Sequence, residues 1–335
     1  MRMRRVATVL ALLTLVVGSP LPVAGQTPYE PPRLPDGRPE LQGVWDFRTV
    51  TPLERPEALG DRATLTAEEA ALFEAQAAAA IRPEDSLPIG GEVSAYNNFW
   101  IDQGARLTDD QRTSQIIDPP DGRLPPLQPG VEMQVLSLDE DLPGNRPVRV
   151  RAAGIGADSY EDRGLGERCL VGFNSGPPIM PAGYNQNIQI FQTAEHVAIL
   201  TEMVHDVRVV PLDGREHLPA DMPQWAGNSR GRWEGDTLVI ETTNFSDKVA
   251  SFNPSIDRAA GSGTTLQLTE RFRLVADDTL HYEYTVTDLT TFTRPFTALL
   301  QMKRGDVLYE YACHEGNYGL YNILSGARED EQGQQ

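Results

Sequence analysis

The feature that most limits what this chain can become is a train of short alternating segments in its C-terminal half. NIQIFQT, HVAILTEM and DVRVVPL follow one another from about residue 186 onward. TLVIETTNF, TTLQLTERFRLV, TLHYEYTVTD, FTALLQMK and VLYEYAC continue the pattern. Period-two alternation rich in β-branched and aromatic residues marks half-buried strands. Glu234-Gly235-Asp236, Ala276-Asp277-Asp278 and Arg304-Gly305-Asp306 separate several of them. Turns this short force neighbouring strands to run antiparallel. Eight or nine such strands suffice to close an up-and-down, lipocalin-like barrel, with an open sandwich as the alternative. Helical segments between the strands are nearly absent, which argues against a parallel βαβ fold. Neither G-x-G-x-x-G nor a P-loop occurs, so no nucleotide cofactor is expected.

Upstream of the strands the chain changes character several times. Residues 1–25 read as a signal peptide: MRMRR, an apolar run from Val6 to Val17, then small residues with a cut after Ala24 or Gly25. Twelve apolar residues are too few to cross about 30 Å of hydrocarbon as a helix. Export follows, with no membrane insertion after cleavage. Residues 26–60 form a proline-rich lead-in whose LQGVWDF is a possible first strand, with Gly43 and Trp45 spaced as G-x-W. Residues 61–185 carry a helix and loops. Thr66 and Glu69 spell a capping box before AEEAALFEAQAAAAI, Phe73, Ala77 and Ala80 share a face, and Pro83 stops the helix. Residues 84–168 are punctuated by Pro and Gly yet hold Tyr96, Phe99 and Trp100. The barrel region is expected over 186–328, and 329–335 as a disordered tail.

The chain has 48 acidic and 29 basic side chains, a net charge of −19. Such a surface repels phosphate backbones and anionic lipid, so neither nucleic acid nor a membrane is an expected partner. Metal binding is not expected, because no H-x-H, H-E-x-x-H or calcium-loop motif is present. The two cysteines, Cys169 and Cys313, are a disulfide candidate in an oxidising compartment, with two separate buried thiols as the alternative.

Several longer stretches carry a resemblance. They include NNFWIDQG (97–104), DPPDGRLPPL (118–127), GERCLVGFNSGPPIMP (166–181) and MVHDVRVVPLDGREH (203–217). QWAGNSRGRWEGDTLVIETTNF (224–245) and YEYACHEGNYGLYNILSGAR (309–328) complete the set. With these the chain resembles a family of exported bacterial proteins. The resemblance implies export and carries no catalytic residue onto this sequence.

Candidate chemistry rests on a few positions. Of the five histidines, His205 and His314 are the candidates for acid/base work. His205 sits in VHDVR and His314 in CHEGNY, on a loop that a bonded Cys313 would tie down. In TLQLTERF, Leu266, Leu268, Glu270 and Phe272 share a face, so Glu270 points a carboxylate into an apolar layer. In QWAGNSRGRWEGD, Trp225, Arg230 and Trp233 mix indoles with a planar cation, which suits a polar ligand with apolar faces. Trp100 and Asn317 are further binding candidates. The expected partner is a small polar organic molecule, for example a glycoside. The expected function is cofactor-free acid/base chemistry of lyase, hydrolase or isomerase type, with Arg230 as an electrostatic clamp. The alternative is a non-catalytic periplasmic binding or envelope protein on the same barrel.

Overall fold

The fold is built on the strands legible in the sequence, joined by GVWD of the lead-in and by NSRGRWE. The computed structural model describes residues 29–80, 102, 104–136 and 146–333. The expected signal peptide, Pro83, Tyr96, Phe99 and Trp100 lie outside the described residues. The chain starts with β1 (Gly43–Asp46), α1 (Ala67–Ala80), β2 (Ile116–Asp118) and β3 (Met133–Val135). It then runs through β4 (Asn187–Gln192), β5 (His196–Thr201), β6 (Val207–Pro211), β7 (Asn228–Glu234) and β8 (Thr237–Thr243). Next come β9 (Phe252–Ser255), β10 (Arg258–Ala260), β11 (Gln267–Ala276), β12 (Thr279–Thr287) and β13 (Phe296–Arg304), before α2 (Tyr318–Gly333).

The main sheet runs β6-β5-β4-β1-β13-β12-β11-β8-β7, with β2 paired beside β13. Every ladder in it is antiparallel. The short lead-in strand β1 joins two meanders: Trp45 pairs with Ile188 on one side and Arg304 on the other. The two ends of the path, β6 and β7, lie against each other. Gly231 permits that approach, because a Cβ there would stand 2.6 Å from Leu212 Cδ2 and 2.9 Å from Val210 Cγ1. The result is a nearly closed antiparallel barrel. A small sheet, β3-β10-β9, lies apart from it.

Alternation decides what fills the barrel. Ile188 and Ile190, Val197 and Ile199, Leu238 and Ile240, Leu268 and Phe272, and Leu280 and Leu300 are all buried. Rings pack among them: Phe272 and Tyr282 lie 4.8 Å apart, and Phe252 meets Phe296 edge-on at 4.9 Å. Burial of this apolar surface is the main driving force for the fold.

Three local expectations change. The capping box forms, since Thr66 Oγ1 accepts from the Glu69 amide at 3.2 Å and the Thr66 amide donates to Glu69 Oε2 at 2.9 Å. The face of α1 that meets the protein, however, is Ala70, Glu74 and Ala77 rather than Phe73. Ala70 is buried and Glu74 accepts from the Leu107 amide at 2.9 Å, while Phe73 is exposed. The VLYEYAC segment is not a strand. Its backbone is held by side chains instead: the Tyr309 amide donates to Glu202 and the Tyr311 carbonyl accepts from His205. The Arg304-Gly305-Asp306 turn therefore closes no hairpin. Residues 329–333, expected as tail, continue α2, a helix with no buried residue.

Candidate functional site

One polar network crosses the barrel interior. Arg208 reaches from β6 to Glu270 on β11, with Nη2 donating to Oε1 at 2.9 Å and a second, shorter contact from Nη1 to Oε2. The Tyr282 hydroxyl donates to Glu270 Oε1 at 2.8 Å and accepts from the Ile179 amide at 3.0 Å. Glu270 is fully buried and Arg208 nearly so. Burial alone would lower the Arg208 pKa, but the Glu270 carboxylate more than offsets it and the net shift is upward. Burial, reinforced by the same carboxylate, pushes the Tyr282 hydroxyl well up. Both oxygens of Glu270 are occupied, so this carboxylate holds the barrel together.

The largest of the cavities described here, about 1040 Å³, lies instead at one rim of the barrel. Strand register explains its composition. Asp46 at the end of β1 pairs with Asn187 at the start of β4 and with Lys303 on β13. The Glu202 amide, just past β5, donates to the Asn187 carbonyl at 3.0 Å. One row across neighbouring strands thus delivers Asp46, Asn187 and Glu202 to the same rim, and Arg304 follows at the end of β13.

Two arginines at this rim are already engaged. Arg48 Nε donates to Asp46 Oδ2 at 2.8 Å, and its Nη1 makes a short contact with Asp102. Hydrogen bonding to Asp46 outweighs burial and raises the Arg48 pKa. Arg304 lies over the Trp45 ring, 4.0 Å from its centroid, and donates to the Gln42 carbonyl at 2.7 Å. Gly43, at φ 120°, makes room for this guanidinium, since a Cβ would collide with Arg304 Nη1. The G-x-W spacing is therefore a seat for an arginine.

The far wall of the cavity is a strap, residues 305–311, that leaves β13 and passes back over the rim. Tyr311 of the strap stacks on Tyr184, 6.2 Å between centroids, and Phe173 meets Tyr184 edge-on. Burial and the neighbouring Tyr311 hydroxyl push the Tyr184 hydroxyl up. Four ties hold the strap and the turn after it. The Tyr309 amide donates to Glu202 Oε1 at 3.1 Å. His205 Nδ1 donates to the Tyr311 carbonyl at 2.8 Å; a carbonyl has no proton to give, which fixes the tautomer. Cys169 and Cys313 form a disulfide, with Cα atoms 5.8 Å apart. Asn317 Nδ2 donates to the Glu167 carbonyl at 3.0 Å.

The backbone under the strap is unusual. Cys169, Asn185, Val204 and His205 all adopt positive φ, between 44° and 65°. A β-branched residue such as Val204 resists that region, so surrounding contacts must hold it there. Asn174 Nδ2 steadies the Asn185 turn by donating to the carbonyls of Tyr184 and Asn185 at 2.9 and 3.2 Å. Strain of this kind concentrates at functional sites.

The residues singled out from sequence fall in three places. His205, His314 and Asn317 gather around the disulfide and the strap, and His314 is exposed. Glu270 stands in the barrel interior. Trp225, Arg230 and Trp233 lie on or just before β7, where Arg230 donates to the carbonyls of Glu216 and Ser229 at 2.9 and 2.7 Å. Burial lowers the Arg230 pKa, helped by nearby Arg215. Trp100 lies outside the described residues. None of these is among the residues lining the rim cavity. Its lining residues Arg48, Tyr184, Glu202, Arg304 and Tyr309 were not singled out from the sequence as site residues. The usable signal was Glu202, a carboxylate one position past the inward-facing series Val197, Ile199, Thr201.

No family model matches the chain, and no curated protein does. Among solved structures, a point mutant of the fluorescent protein UnaG aligns with 36% of this chain and 72% of its own length. The identity is 13% and the TM-score 0.22, a superposition too loose to carry an argument about fold, site or ligand.

Proposed function

We propose that this chain is an exported binding protein that holds a small polar organic molecule in the rim cavity beneath the strap. The observation that carries the reading is the cavity's construction. A volume of about 1040 Å³ is walled by the tyrosine rings of 184, 309 and 311 and by hydrogen-bonding groups of Asn185, Asn187 and Glu202. Pockets of this size with a few converging polar groups are the usual seat of small ligands. Export is supported by the disulfide, which persists in oxidising compartments, and agrees with the signal-like residues 1–25. Binding is favoured over turnover because Glu270 is committed to Arg208 and Tyr282, and neither His205 nor His314 lines the cavity.

Calorimetric titration of the mature protein against polyols, glycosides and small amines tests this reading. One-to-one saturable binding is expected. Val307 lines the cavity and is 55% exposed, so Val307→Trp projects an indole from the cavity wall against a bound ligand without disturbing the core. This variant is expected to abolish binding with an unchanged melting temperature. Full affinity in Val307→Trp overturns the site.

A further inference from the structure

The buried carboxylates of the described residues differ in one respect. Asp162 is paired with Arg146, and Glu270 with Arg208. Asp288 has no cation among the described residues but accepts five hydrogen bonds, from the amides of Thr290 and Thr291 and the hydroxyls of Thr265, Thr290 and Thr291. Glu202, 2% exposed, has neither arrangement. It accepts from Asn187 Nδ2 at 2.7 Å and from the Tyr309 amide at 3.1 Å, one bond to each oxygen. No basic side chain of the described residues pairs with it. A carboxylate has about four acceptor sites, and a buried charge without a partner is costly. Glu202 is also the one of these four that lines the rim cavity.

The rest of the cavity points the same way. Arg48 is paired with Asp46 and Asp102. Arg304, held over the Trp45 ring and on the Gln42 carbonyl, keeps its charge but is outnumbered in the lining by Glu202, Asp306 and Glu310. Asp306 and Glu310 add exposed negative charge at the lip, with no ion pair among the described residues. Tyr309, 67% exposed, and the Tyr184–Tyr311 stack offer ring faces, which attract cations through the ring quadrupole. A buried carboxylate with no cation partner among the described residues, an acidic lip and tyrosine faces together describe a receptor for positive charge.

We infer that the ligand of this cavity is an organic cation, a small molecule bearing an ammonium group. Its N–H donors complete the shell of Glu202, and its charge rests against the tyrosine rings. The inference rests on the rim cavity being the binding site.

The test titrates the mature protein with phenethylammonium, its neutral isostere phenethyl alcohol, and methyl glucoside. Phenethylammonium is expected to bind about tenfold or more tightly than phenethyl alcohol, the scale of a charge-assisted contact. Glu202→Gln removes the charge and keeps the shape; it is expected to erase that preference. Should Glu202→Gln fold poorly, Tyr309→Ala alters only an exposed ring, and a fall of about threefold or more in cation affinity is expected. Equal affinity for the amine and the alcohol, or binding of methyl glucoside alone, overturns the cation assignment and leaves the cavity as the site. Amine binding that survives Val307→Trp at full strength overturns both.

Discussion

Arg208→Leu is expected to destabilise the protein by about 3–5 kcal/mol, the cost of stripping the partner from a fully buried charge. The variant leaves Glu270 facing apolar side chains with only the Tyr282 hydroxyl to accept from. Chemical denaturation followed by tryptophan fluorescence measures the loss. The double variant Arg208→Leu with Glu270→Leu is expected to recover most of it, because a buried ion pair and an apolar pair of similar volume are often close in stability. A double variant no more stable than the single one would mean that the network organises the barrel beyond its charge balance. The position of the pair makes the effect large: Arg208 lies on β6, at one end of the strand path, and Glu270 on β11 near the other. The bridge therefore draws together the two meanders that β1 joins on the opposite side.

Removing the disulfide is the second large effect. The bridge closes a loop with a sequence separation of 144, and most of the barrel strands lie inside it. Chain entropy then gives a stabilisation of up to about 5 kcal/mol, which Cys169→Ser with Cys313→Ser is expected to lose in large part. The loss has a local face too. Without the bridge the strap keeps the Tyr309–Glu202 and His205–Tyr311 hydrogen bonds and the Asn317 contact. Each of those contributes about 1 kcal/mol. Limited proteolysis is expected to cut the double variant within 305–317 while the barrel stays intact. Equal denaturation midpoints for the two proteins would show that the bridge constrains neither state.

Much of the barrel was legible because its inward residues alternate strictly. Leu268, Glu270 and Phe272 on β11, and Leu280, Tyr282, Tyr284 and Val286 on β12, are buried on the face the alternation assigns them. β7 was not legible as a strand. Its inward positions include Ser229 and Gly231, small because β6 and the Thr242 hydroxyl press against them, so the apolar signal is missing. VLYEYAC alternates like a strand but joins no ladder; side chains of Glu202 and His205 bond its backbone at Tyr309 and Tyr311. The site was harder still. Arg48, Tyr184, Glu202 and Tyr309 are far apart in sequence, and β-register and one disulfide bring them to a common rim. No spacing rule encodes that meeting. The indoles and arginine near β7 made a denser local pattern, yet Arg230 donates to the nearby backbone carbonyls of Glu216 and Ser229.

Hydrogen–deuterium exchange with and without the tightest binder of the panel tests the central claim most directly. Slowed exchange confined to residues 184–187 and 305–311, the two walls of the rim cavity, is the predicted result. Protection centred on β7 and residues 224–234, with the strap unchanged, would contradict it.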